Sequence, residues 1–224
     1  MKKRNKTQKI LIVLGCCCIL AAAALYAVNR VRSAEAGKAS AALTEEVSTL
    51  LRKAETAPAE TESGASAETA ASGDGETDPA LGAETQPAAQ EQAPAAVHVD
   101  GYDVVGILEI PALGLKLPVL QYWGYSDLRV SPCRYSGTPD GQMVILGHNY
   151  VEHFAGLHKL TEGDKVTFTA VDGTVWSYTV SRLETRGSRE LQAIITGDDW
   201  DLTLFTCTYG GDKRVVVRCV RDRT

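Results

Sequence analysis

Nineteen consecutive residues, Ile10 to Val28 (ILIVLGCCCILAAAALYAV), carry no charge, and the nine before them hold five basic side chains and no acid. As a helix rising 1.5 Å per residue the run is about 28 Å long, close to the ~30 Å hydrocarbon core of a bilayer. Only Arg30 and Arg32 follow it closely. The surplus of basic residues on the N-terminal side keeps that end in the cytoplasm and puts everything after Val28 outside the cell. The expectation is a single-pass cell-membrane protein, with residues 1–32 as basic cytoplasmic tail and transmembrane signal-anchor and an extracellular remainder. The alternative is a cleaved secretory signal, with AAAALYA or RSAEA offering small residues to a peptidase. Against it, the run exceeds the usual signal core of about 7–15 residues. A lipoprotein reading of VLGC at Cys16 has only the six apolar residues from Ile10 to Gly15 ahead of the cysteine. Cys16, Cys17 and Cys18 read most simply as apolar fillers of the membrane helix, with palmitoylation the lesser alternative.

Residues 33–97 form a low-complexity acidic linker. Within it AALTEEVSTLLRKAE has the leucine spacing and helix formers of a short juxtamembrane helix over 41–54. From Ala54 to Val97 there are nine acids, no Lys or Arg and no aromatic residue. Such a segment buries too little apolar surface to offset the entropy of ordering it, so a disordered stalk is expected. Its physical role would be reach, holding a domain at its tip away from the bilayer.

Residues 98–224 hold every Trp and Phe of the chain, with 13 Lys and Arg against 16 Asp and Glu, a net of −3. This is the size of one folded domain, and its acidic balance gives no sign of nucleic-acid binding. VVGILEI, LKLPVL, MVILGH, DKVTFTAV, TVWSYTVSRLET, DLTLFTC and KRVVVRCV are short β-rich runs broken by Gly, Pro and Asp, which predicts a mostly β barrel or sandwich. Asp172-Gly173 between alternating runs predicts a two-residue hairpin turn. GYSDLRV, VEHFAGLHKL and SRELQAIIT read as short helices or helical turns between strands.

Three cysteines lie outside the membrane run: Cys133, Cys207 and Cys219. An external location permits a Cys133–Cys219 disulfide, which would leave Cys207 as an odd thiol. Cys207 ends an apolar alternating strand, sharing a face with Thr203 and Phe205. Gly210-Gly211 then turns the chain so that Arg214 returns beside it, a fixed guanidinium able to stabilise an oxyanion or orient a peptide backbone. Each taken alone has a plainer reading, a packed small hydrophobe for Cys207 and a surface cation on an edge strand for Arg214. A thiol nucleophile needs an acid-base partner. His98 stands at the linker boundary, His153 and His158 fit a solvated helix face, and His148 ends the strand QMVIL, a strand exit like that of Cys207. The histidines lack metal-ligand spacing, no C-x-x-C occurs in this domain, and G-x-S-x-G is absent. Neither a metal site nor a serine hydrolase is expected.

LGHN at 146–149, TLFTC at 203–207 and RVVVR at 214–218 resemble the histidine, T-L-x-T-C and arginine-strand motifs of the sortases, membrane-anchored cysteine transpeptidases of Gram-positive bacteria. VVGILEIPALGLKLPVL is similar to the family's first two strands, so the resemblance runs over nearly all of 101–221. It implies the eight-stranded sortase-type β-barrel. It also implies Cys207 as nucleophile, His148 as general acid and base, and Arg214 as the residue that holds substrate backbone, with Arg218 a rival for that last role. No cofactor is implied. The implied partners are secreted proteins bearing an LPxTG-like sorting motif and an amine acceptor, either a peptidoglycan precursor or a pilin lysine. The loop between Cys207 and Arg214 is short, and no Asp-Pro-Trp lid motif precedes the domain. These features point to a compact type and leave the subclass open. A catalytically silent peptide-binding barrel and a purely hydrolytic thiol peptidase are the alternatives.

Overall fold

The computed structural model describes residues 6–56 and 93–223. Most of the expected acidic stalk, and the first five residues of the basic tail, fall outside them. Helix α1 spans Lys6–Thr56 without a break, about 76 Å at 1.5 Å per residue. Among the described residues it is the one helix long and apolar enough to cross a membrane. The stretch expected to form a separate juxtamembrane helix is its last part.

Nine strands follow: β1 (Val97–Val99), β2 (Tyr102–Ile110), β3 (Leu115–Leu120), β4 (Cys133–Ser136), β5 (Met143–Leu146), β6 (Lys165–Ala170), β7 (Val175–Gly187), β8 (Leu202–Cys207) and β9 (Lys213–Arg221). Their order is β1-β2-β3-β4-β5-β8-β9-β7-β6, and β6 pairs back onto β2. β2 to β9 therefore close an eight-stranded barrel, with β1 added at the outside of β2. All neighbours are antiparallel except β3–β4 and β5–β8. Closure is tight where β6 crosses β2, because a Cβ at Gly106 would stand 2.3 Å from the Thr169 carbonyl oxygen. Two short helices, α2 (Tyr125–Leu128) and α3 (Leu191–Ile195), and a 3-10 turn at Ala155–Lys159 lie in the expected connections.

Alternation along the strands sorts side chains onto two faces. Met143 and Ile145 of β5, Leu202 and Leu204 of β8, and Val217 and Cys219 of β9 fill the barrel interior. Val144, Leu146, Phe205 and Val216 point the other way, into a second apolar layer outside the wall. α1 supplies part of that layer. Ser33, Ala36, Ser40, Leu43 and Val47 are buried on it, a spacing of three and four residues that keeps one helix face on the barrel. Small residues allow the close approach. Ser33 Oγ donates to the Glu152 carboxylate and accepts from the Val151 amide at 3.1 Å, and Ser40 meets Ser131 at 3.2 Å.

Two expectations need correction. The β6–β7 turn is longer than two residues, since Thr169 pairs with Val175 and the Gly173 amide donates to the Ala170 carbonyl at 3.0 Å; Gly173 takes φ 85°, a left-handed conformation that suits glycine. β4 has no counterpart among the runs expected from sequence. Its Arg134 is buried, donating to the carbonyls of Gln121 (3.2 Å) and Gly137 (3.0 Å), and a charge at that position erases the apolar pattern.

Candidate active site

β5 and β8 run parallel as neighbours, with Leu146 in register with Phe205, and the Gly147 amide extends the ladder by donating to the Phe205 carbonyl at 3.1 Å. His148 stands two residues beyond Leu146 and Cys207 two beyond Phe205. With a side-chain period of two, both reactive groups leave their strands at the same level and on the same outer face. On the other side of β8, Cys207 is in direct register with Arg214 of β9. His148 just beyond the end of β5, Cys207 at the end of β8 and Arg214 on β9, 66 residues apart at the extremes, thus form one row along the rim, where neighbouring strands lie about 4.8 Å apart.

Local chemistry holds each member. Gly147 has no room for a side chain, because a Cβ there would lie 2.6 Å from the Phe154 ring. Phe154 in turn donates its amide to the His148 carbonyl at 3.1 Å. The His148 ring lies 4.7 Å from that of Tyr150, and Asn149 Nδ2 donates to the Thr208 carbonyl at 3.3 Å, tying the His148 loop to the residue after Cys207. Arg214 is buried, contrary to a surface cation on an edge strand, because β9 lies between β8 and β7. Its Nη1 donates to Gly211 (3.0 Å) and Lys213 (3.1 Å), both in its own hairpin.

Arg218, on the same face, is committed elsewhere. It donates to Glu184 Oε1 (2.9 Å), the Ile194 and Ala193 carbonyls (2.6 and 2.7 Å) and Thr203 Oγ1 (2.8 Å), and lies 5.0 Å from the Trp200 ring centroid. Glu184 also accepts from Arg186. Burial alone would raise the Glu184 pKa, but its bonds and charges with Arg186 and Arg218 outweigh that and hold the carboxyl below its ordinary value.

The three barrel cysteines differ sharply. Cys133 and Cys219 are free and fully buried on opposite faces of the wall, Cys133 in the outer apolar layer and Cys219 in the interior, so the disulfide that an external location permits does not form. Burial pushes the Cys219 thiol up to about 12, and burial with the neighbouring Asp127 charge raises Cys133 as well. Such thiols stay protonated and inert. Cys207 is partly exposed.

The other histidines separate in the same way. His98 and His158 are exposed, His98 pairing with Asp103 at 2.8 Å. His153 is fully buried rather than solvated, since α1 covers it near Ala36. Its pKa falls to about 4, first through burial and then through the nearby His148. Tyr150, which bridges the two histidine rings, and Trp123 and Tyr135, which stack on each other and extend an aromatic cluster from Phe205, are not singled out by sequence reading. Their position becomes visible only through strand register. Among the described residues no group of His, Cys, Asp and Glu is arranged to hold a metal ion.

A family model for the sortase domain matches residues 108–222. Among solved structures, sortase C1 from Streptococcus agalactiae is 27% identical with a TM-score of 0.51, the match covering 57% of this chain and 72% of that one. Sortase C from Clostridium perfringens is 26% identical over 57% of this chain and 73% of that one, with a TM-score of 0.49. No curated protein matches the chain.

Proposed function

The chain belongs to the sortase family, and from that membership we propose that it is a membrane-anchored cysteine transpeptidase whose nucleophile is Cys207. The observation that carries the residue assignment is the row itself, with Arg214 paired across from the one partly exposed thiol of the barrel and His148 just past the end of the strand on its other side. The Cys207 thiolate attacks the carbonyl carbon of a sorting motif resembling LPxTG. Arg214 stabilises the oxyanion that develops there. As the intermediate collapses the C–N bond breaks, and His148 gives its proton to the leaving amine, so a thioester remains on Cys207. A primary amine then attacks the thioester, His148 takes its proton, and an amide to the new amine forms as the thiolate leaves. The thioester makes an otherwise inert amide exchangeable in two moderate steps. The acceptor is a peptidoglycan-precursor amine or a pilin lysine. The commitment of Arg218 to Glu184 and the α3 carbonyls supports Arg214, rather than Arg218, as the arginine that serves substrate.

The test is intact-protein mass spectrometry on the full chain in detergent, with a panel of sorting-motif peptides and with or without a primary amine. The expected result is an acyl adduct on Cys207 that passes to the amine and is absent from Cys207→Ala. An adduct released only to water would identify a hydrolytic peptidase. Peptide binding without any adduct, on an intact fold, would identify a silent binding barrel.

A further inference from the structure

The membrane helix and the face that carries the candidate site belong to one rigid piece, on the reading that residues 10–28 cross a bilayer. α1 is unbroken from Lys6 to Thr56, and its docked face begins at Ser33. Val28, the last uncharged residue of the apolar run, is therefore only about 7.5 Å along the axis from a residue fixed to the barrel. Ser33 is bonded to Val151 and Glu152, in the loop that follows His148. Further toward the N-terminus, Ala22, Leu25, Tyr26 and Asn29 line a cleft of about 470 Å³ whose opposite side is Asn149 and Tyr209. Asn149 adjoins His148, and Tyr209 lies two residues past Cys207. Helix residues expected in lipid and barrel residues at the candidate site face each other across one cleft. Because α1 is docked, residues 57–92 join two parts of the same body, and their length does not set the distance between barrel and bilayer.

We propose that the barrel rim bearing His148 and Cys207 rests on the bilayer surface, with Tyr209 and Val151 in the headgroup layer and Arg30, Arg32 and Arg129 against anionic lipid headgroups. Tyr209 is 92% exposed and Val151 62%, at the tips of the two loops that leave β8 and β5. An apolar ring with a polar end is suited to the headgroup layer. Arg30, Arg32 and Arg129 are all exposed, and the charges of Arg32 and Arg129 both act on Tyr150, which places them at the same rim. In the Cys207–Arg214 loop Asp212 and Lys213 offset each other, and the charge of Glu152 beside Val151 is outnumbered by Arg30, Arg32 and Arg129. The peptides that reach Cys207 are then those whose scissile bond is held close to the lipid surface.

The experiment places the photo-crosslinker p-benzoylphenylalanine at position 209, 151 or 175 of the full chain, reconstituted in phosphatidylcholine vesicles with a phosphatidylglycerol fraction. Val175 is also well exposed, at 59%, but starts β7, whose other end, Gly187, pairs beside Arg214; 12 residues of strand separate them by roughly 40 Å. After irradiation, mass spectrometry is expected to find lipid adducts at 209 and 151 several-fold above those at 175, falling several-fold at both rim positions in phosphatidylcholine alone. Adducts equal at all three positions, or missing from 209 and 151 in chains that float with the vesicles and still form the Cys207 thioester, overturn the proposal and leave the transpeptidase reading standing. Undiminished rim adducts without the anionic lipid overturn the part assigned to the arginines. Chains that do not float with vesicles overturn the membrane anchor and this proposal together.

Discussion

Replacing Arg218 by methionine keeps most of the side-chain stem and deletes the guanidinium. Its side chain is 3% exposed, so the partners it leaves do not turn to water freely. Those partners are the Ile194 and Ala193 carbonyls, Thr203 Oγ1 and one oxygen of Glu184, with Arg186 still holding the other. Breaking one side of a buried ion pair in this way costs about 3–5 kcal/mol. For a domain of this size each kcal/mol moves Tm by roughly 3–5 °C, so unfolding is expected about 10–20 °C earlier. Below that temperature acylation of Cys207 should proceed near the parental rate. Arg214→Met, also a loss from a buried site, should in addition lose acylation. Its Nη1 bonds go to two carbonyls of its own hairpin, and loss of an oxyanion donor lowers acylation about 10²–10³-fold. Circular dichroism melting and the rate of the mass shift on Cys207, both in detergent, measure the two effects. An Arg218→Met protein that melts like the parent yet fails to acylate would refute the division of labour between the arginines.

His153 sets an acid limit on the fold. Its folded pKa is about 4 against 6.5 for an ordinary histidine, so the fold binds fewer protons than the unfolded chain between those values, and stability complete above pH 6.5 drains away toward pH 4. The span corresponds to roughly 3 kcal/mol. Urea midpoints at pH 7.5, 5.5 and 4.5 should show this loss and show it reduced in His153→Phe; an unchanged slope in the variant would place the titration elsewhere. In the native protein iodoacetamide is expected to label the tryptic peptide carrying Cys207 and spare those carrying Cys133 and Cys219 until denaturant is added, and equal labelling of all three in buffer would contradict their burial. Gly106→Ala should destabilise the barrel by about 2 kcal/mol or more, because the new methyl overlaps the Thr169 carbonyl and the Phe168 ring, and a variant that melts unchanged would show that the β2–β6 seam yields.

Sequence and structure agree where a physical pattern repeats. Alternation revealed seven of the strands because each turns one apolar face to the barrel interior. It could not reveal β4, whose buried arginine interrupts the apolar pattern. His148, Cys207 and Arg214 were legible as residues at strand exits and hairpin edges. That they share one row depends on the β5–β8 register, which no local signal carries. The docked face of α1 was illegible for a different reason. Ser33, Ala36 and Ser40 are buried for their smallness rather than their hydrophobicity, so periodicity of apolar residues passes over them. The burial of His153 follows from the same omission, since the helix that covers it lies more than a hundred residues upstream.

The parallel pairing of β5 with β8 has a consequence for timing. Ile145 and Leu204 meet across 59 residues, with the whole β6–β7 hairpin and α3 between them. A contact so distant along the chain carries a large loop-closure entropy and is expected to form late. Until it does, His148 and Cys207 have nothing to hold them together. On the role proposed for Cys207, a chain still unfolded therefore carries its nucleophile in a dormant form, and reactivity arises as one of the last acts of folding.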